Sequence, residues 1–420
     1  MSTRLSTLPN GLRVLTDSIP DMHSVAIGIW CNVGTRYEDL KLNGIAHLVE
    51  HMIFKGTKHH NALEIVEKIE TVGGQMNAYT SREQTAYYVH LLKDDMPLAL
   101  ELLGDIFLYS TFPEEELDKE RHVILQEIGM THDTPDDLVF DLYQAAAYPD
   151  QALGAPILGT ADIVKSMPRD ALFHYTQTFY RPDNLILSVA GNVDHDELLT
   201  ITENIFGNVP AAHQQTHLAP ASYQGGEARI QKDLEQAHIV LGFQGTARSA
   251  DNYESALLLS TLLGGGMSSR LFQEVREKRG LVYNTYSCHS AYHDDGQFEI
   301  YAGTGPENLP ELIPVICDEL GKVQTSPVPE EELHRAKTQI RAGLLMSRES
   351  MLSRADRQAK YMFHFNKILD IDEIISKVEA VTPQDIQKAA NQIFKITPTL
   401  AALGPLEHLE DYENIKKRLA

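Results

Sequence analysis

The chain has 420 residues, 43% of them hydrophobic, and a formal net charge of −23. That length supports two or three domains with full cores. The acidic balance excludes nucleic acid and an anionic membrane surface, since both want a basic patch. The opening MSTRLSTLPNGLRVLTDSIP has no apolar core of signal-peptide length and reads as a strand entered through an Asn-Gly turn. SVAIGIWCNV (24–33) is a second strand. Gly44 and Gly56 then bracket a predicted helix, with Asn43 as N-cap and Gly56 at C′. TAYYVHLL (85–92) is another strand, followed by an apolar helix at 98–112 and a charged one from Glu114. AAHQQTHLAPASYQGGEARI (211–230) lacks periodicity and is the linker candidate. AHIVLGFQ (237–244) restarts the strands. The three cysteines, Cys31, Cys288 and Cys317, are far apart with no C-x-x-C, which points to a reducing compartment. No run reaches the roughly 18 apolar residues of a membrane span, so the expected location is the cytoplasm.

The chain repeats itself once. PEEEL occurs at 113–117 and again at 329–333. Residues 167–191 resemble 382–404, and AHLVEHMIFKG (46–56) aligns loosely with ALLLSTLLGGG (256–266). The expected organisation is a first domain at 1–212, a linker at 213–226 and a homologous second domain at 227–420. Strands mixed with helices, without strict alternation, make each an α+β domain. Under this alignment Leu257, Ser260 and Thr261 stand where the first half has His47, Glu50 and His51. Ala336 and Gly343 stand for Glu120 and Glu127. The scaffold is duplicated and the ionisable residues are not, which places a site in the first half only.

HLVEH (47–51) carries the chemistry. Histidines four apart on a helix share one face, the spacing two imidazoles need to reach one metal ion. A lone core histidine is satisfied by one hydrogen bond and needs no ligand. Two of them with a carboxylate between are less readily explained that way. Zinc suits two neutral imidazoles plus a carboxylate, with a fourth position for water. The third ligand is expected in EEELDKERHVILQEIGM (114–130). Glu120 and Glu127 are two turns apart, about 10 Å along a helix axis, so one ion takes only one of them directly. The other supports the site or contacts substrate, and spacing does not say which. The bland alternative is that both are solvated charges paired with Lys119 and Arg121. With zinc present, Glu50 is placed to move protons in metal-assisted hydrolysis of an amide.

H-x-x-E-H resembles the pitrilysin/insulinase-type zinc peptidases. So do LPNGLRVLTDSIP, GIAHLVEHMIFKGT, GGQMNAYTSREQTAYYV, FYRPDNLILSVAGNV and LFQEVREKRGLVY, which together span nearly the whole chain. At this length the resemblance is to the single-unit branch, which includes the mitochondrial processing peptidase β subunit. It implies two homologous domains, each a mixed, mostly antiparallel sheet packed against helices, forming half of a clamshell. It implies that His47, His51 and Glu127 hold one zinc ion, that Glu50 is the general base and that Glu120 supports the ligands. Asn77 and Ala78 match the segment that binds substrate backbone as an added strand. Arg276 and Tyr283 match a pair that holds substrate and stabilises the developing oxyanion. Their bland reading is a surface cation and a half-buried ring. The implied substrates are peptides or unfolded segments in a closed chamber, and the acidic balance suits basic ones. The implied assembly is a homodimer with composite sites, or else a heterodimer with an inactive paralogue. GGGMSS (264–269) is too short for the long Gly-rich loop of such a partner and lacks phosphate-loop spacing.

Two other classes fit parts of the pattern. A non-catalytic structural member of the family would lack hydrolysis of an unstructured peptide. An oxygenase with a two-histidine, one-carboxylate triad would bind iron.

Overall fold

The strands Ser2–Thr7 (β1), Arg13–Ser18 (β2), Ser24–Cys31 (β3), Gln75–Thr80 (β4), Thr85–Leu92 (β5) and Leu185–Gly191 (β6) form one sheet in the order β1-β2-β6-β3-β5-β4. The β2–β6 pair is parallel and the others are antiparallel. A second sheet contains Gly226–Gln231 (β7), Ala237–Gln244 (β8), Val282–Ala291 (β9), Gly296–Thr304 (β10) and Thr399–Gly404 (β11) in the order β7-β11-β8-β10-β9. Its single parallel pair is β7–β11. The two orders superimpose strand for strand, with β1 as an addition, so the sequence repeat is a repeat of topology. This computed structural model describes residues 2–211 and 218–420. The expected linker at 213–226 lies partly outside them.

Both PEEEL segments open helices, Glu114–Asp133 and Glu330–Met346. The aligned pair 167–191 and 382–404 each form a helix followed by a buried strand. Strand β3 is apolar at nearly every position because both its faces are covered. Val25, Ile27 and Ile29 pack on one side, Ala26 and Trp30 on the other.

The structure groups residues by contact rather than by chain half. Unit 1 comprises Met1–Gly129, Ala155–Ala219 and Ser347–Leu369. Unit 2 comprises Met130–Gly154, Pro220–Met346 and Asp370–Ala420. The exchanged segments are sheet covers. In unit 1 the helix Met351–Phe365 lies on the sheet, where Asp356 Oδ1 accepts from Trp30 Nε1 at 3.0 Å and Tyr79 OH at 2.6 Å. There Arg354 Nε also donates to the buried Asp17 at 2.8 Å. In unit 2 the helix Pro135–Ala147 places Val139, Tyr143 and Ala147 against Val240, Ala401 and Leu403. All three cysteines are free thiols. Among the described residues, no helix is long and apolar enough to cross a membrane.

The first helix, Ile45–Met52 (α1), does not start on an Asn43 cap as the sequence suggested. The chain enters it through Gly44 at φ 94°, and a Cβ there would lie 2.8 Å from Gly159 Cα and Leu158 O. The buried Glu38 carboxylate caps it instead, accepting from Gly44 N at 2.9 Å, Ala46 N at 2.8 Å and Asn43 Nδ2 at 3.0 Å. Burial pushes Glu38 up to about 7, against the pull of those donors. Gly56, expected at C′, lies beyond the helix end, where Ile53 is the C-cap.

The turn after α1 is held by Asp105, on the helix Met96–Tyr109. Its carboxylate accepts from Thr57 Oγ1 at 2.6 Å, His59 Nδ1 at 2.5 Å and His60 Nδ1 at 2.9 Å. Burial raises this carboxyl, but the three hydrogen bonds outweigh it and hold the pKa below the usual value. A depressed folded pKa contributes stability above the unfolded value of roughly 3.9. That stability is lost as pH falls through the folded value. Asp105→Asn is therefore expected to lower the melting temperature at pH 7, by about 1–2 kcal/mol of stability. The gap to wild type should begin to narrow below about pH 4 and close only below the depressed folded value. A gap that persists unchanged in acid would mean the charge contributes nothing.

Candidate metal centre

Helix α1 projects His47 and His51 from one face, ring centroids 4.6 Å apart. The helix Glu114–Asp133 brings Glu127 against them: its Oε2 lies 3.8 Å from His47 Nε2 and 3.7 Å from His51 Nε2. These gaps are too long for hydrogen bonds. They are close to the ~3.4 Å that separates donors held ~2.1 Å from one tetrahedral ion. Among the described residues this is the one group of three whose ligand atoms all lie within 4.8 Å of one another. Among the described residues His47 Nδ1 is buried with no hydrogen-bond partner. Burial, reinforced by His51, lowers His47 to about 4, so it presents a neutral imidazole. The donor set fits a divalent ion that accepts nitrogen and oxygen.

Glu120 takes a different place from Glu127. Its Oε2 meets His51 Nδ1 at 2.9 Å and its Oε1 meets Lys55 Nζ at 2.7 Å. A carboxylate only accepts, so a proton sits on His51 Nδ1, and Nε2 is the ring nitrogen that faces Glu127. Burial opposes the charged forms of both partners. For His51 the neighbouring carboxylates outweigh it and raise the pKa, while His51 and Lys55 lower that of Glu120. The solvated network imagined for these glutamates does not form. Lys119 pairs with Glu116 at 2.6 Å, and Arg121 pairs with Asp118.

Glu50 sits one residue before His51 and turns to β4. Its Oε2 accepts from Thr80 Oγ1 at 2.5 Å. Burial pushes its carboxyl up, and the Thr80 bond draws it back. β4 is an edge strand, so one side of its backbone is not paired within the sheet. It carries Asn77 and Ala78, with Asn77 Oδ1 accepting from Ala78 N at 2.8 Å.

Arg276 and Tyr283 belong to unit 2. Arg276 stacks between two rings, 4.7 Å from the Phe272 centroid and 5.6 Å from that of Tyr283. Tyr283 is 76% exposed, so it is a presented ring rather than a half-buried one. Sequence reasoning missed Glu38, Lys55 and Thr80. Lys55 stands four residues after His51, and Thr80 shares a strand face with Ala78. Either spacing could have pointed to the site. Nothing in spacing marks Glu38.

A family model described as Insulinase (Peptidase family M16) matches residues 13–161, and one described as Peptidase M16 inactive domain matches residues 166–340. The chain belongs to the insulinase family of peptidases, M16. The uncharacterized zinc protease YmxG of Bacillus subtilis is 40% identical over 95% of this chain and 97% of its own. An uncharacterized zinc protease of Rickettsia bellii is 41% identical over 96% and 97%. A crystal structure of a protease from Helicobacter pylori has the same fold, with a TM-score of 0.89 over 96% of this chain and 99% of that one, at 24% identity. His47, His51 and Glu127 fall within the first match, and the second covers the half in which Leu257 and Thr261 align with the histidines.

Proposed function

We propose that the chain is a zinc metalloendopeptidase that hydrolyses peptides or unfolded segments. The observation that carries this reading is the convergence of His47, His51 and Glu127, whose ligand atoms lie within 4.8 Å. These three would hold one zinc ion per chain. When bound, zinc supplies a Lewis acid that polarises the carbonyl and makes water acidic near neutral pH. Glu50 takes the proton of the attacking water and hands it to the leaving amine. Glu120 holds His51 in the tautomer a ligand needs. Substrate lies along β4 as an added strand at Asn77 and Ala78. Arg276 and Tyr283 hold it and stabilise the oxyanion.

The test is hydrolysis of an unstructured peptide. Cleavage should stop with a chelator and return with zinc. No cleavage by fully zinc-loaded protein would favour a structural role, and iron in the purified protein would favour an oxygenase.

In this reading two copies pair and enclose the substrate in a closed chamber. Arg276 and Tyr283 of one copy then serve the metal group of the other. The exposure of Tyr283 supports this. A mixture of Glu50→Gln and Tyr283→Phe chains should then recover about a quarter of wild-type activity, since half the dimers regain one intact site. No recovery despite demonstrated exchange would count against the shared site.

A further inference from the structure

We infer that Thr80 is a positioning residue for Glu50 and couples the substrate-binding strand to the proton-transfer group. The inference rests on the reading of Glu50 as general base. Thr80 is the last residue of β4, two positions after Ala78 on the same face. Met76 and Ala78 pack on the core that includes Leu48, Val49 and Met52 of α1, so this face of the strand meets the metal-bearing helix. Thr80 Oγ1 reaches Glu50 Oε2 at 2.5 Å.

That bond does two things. It fixes a long side chain whose rotamers would otherwise spread, which sets the distance to the attacking water. It also occupies Oε2 with a donor, so the proton taken from water goes to Oε1. The Thr80 hydroxyl keeps donating to Oε2 after that transfer, so the carboxyl does not reorient before it returns the proton. A peptide that pairs with β4 at Asn77 and Ala78 therefore sits in register with Glu50, because one strand carries both the docking edge and the hydroxyl.

The experiment compares Thr80→Val and Thr80→Ser in the full-length, zinc-loaded protein, reading kcat, KM, zinc per chain and crystal structures of both variants. Valine keeps the shape and loses the hydroxyl. Thr80→Val should lower kcat roughly 10- to 100-fold, with KM changed less than about twofold and zinc content unchanged. Thr80→Ser should return kcat to within about threefold of wild type. The Glu50 carboxylate should be displaced in the valine crystal and restored in the serine one. Thr80→Val should cause no further loss in a Glu50→Gln background. A valine variant with wild-type kcat, one that loses zinc, or a serine variant without rescue would overturn the inference. Full turnover by Glu50→Gln would instead overturn the assignment of Glu50 itself, whatever Thr80→Val does.

Discussion

Glu50→Gln should bind one zinc per chain like the wild type and cleave peptides about 10²- to 10⁴-fold more slowly. The substitution keeps the shape and removes the proton acceptor. Its amide can still receive the Thr80 hydroxyl bond seen at 2.5 Å, so the local packing survives. Glu50 is not among the three residues whose ligand atoms cluster, so metal content should not change. The loss should fall on kcat, because the proton moves only in the transition state. Zinc per chain by elemental analysis and steady-state kinetics on one preparation check both halves. Turnover surviving in a preparation free of contaminating protease would remove Glu50 from this role.

His51→Ala has the second large effect, on binding rather than on the proton. One of the two imidazoles goes, and Glu120 loses its 2.9 Å partner while keeping Lys55 at 2.7 Å. Zinc content should fall from about one per chain to under about 0.1 after dialysis, with hydrolysis at background. The fold should persist, since the core around α1 rests on Leu48, Val49 and Met52, all 0% exposed. A melt near the metal-free wild type would show this. Unchanged zinc stoichiometry would put the ligands elsewhere.

The parts of the fold legible in the sequence were those written in short range. TAYYVHLL and AHIVLGFQ are apolar runs of strand length, and they are β5 and β8 residue for residue. The repeat was legible because PEEEL starts a helix in both halves, and the two sheets share one strand order. His47 and His51 stood out because helical spacing alone puts them on one face. The choice between Glu120 and Glu127 was not legible. Both lie on one stripe of one helix, and only the position of α1 against that helix separates them. Glu38 acts across a turn and a left-handed glycine, so neither capping rules nor spacing reveal it; those rules favoured Asn43. The helix Met351–Phe365 covers a sheet formed before residue 192, through Asp356 and Arg354. No local pattern encodes a contact over such a separation.

The most direct measurement is anomalous diffraction at the zinc edge from crystals of the full-length protein. The account predicts a single peak within bonding distance of His47 Nε2, His51 Nε2 and a Glu127 oxygen, with Glu50 outside the ligand sphere. A peak bound by any other set of residues, or no peak in crystals grown from zinc-replete protein, would contradict it.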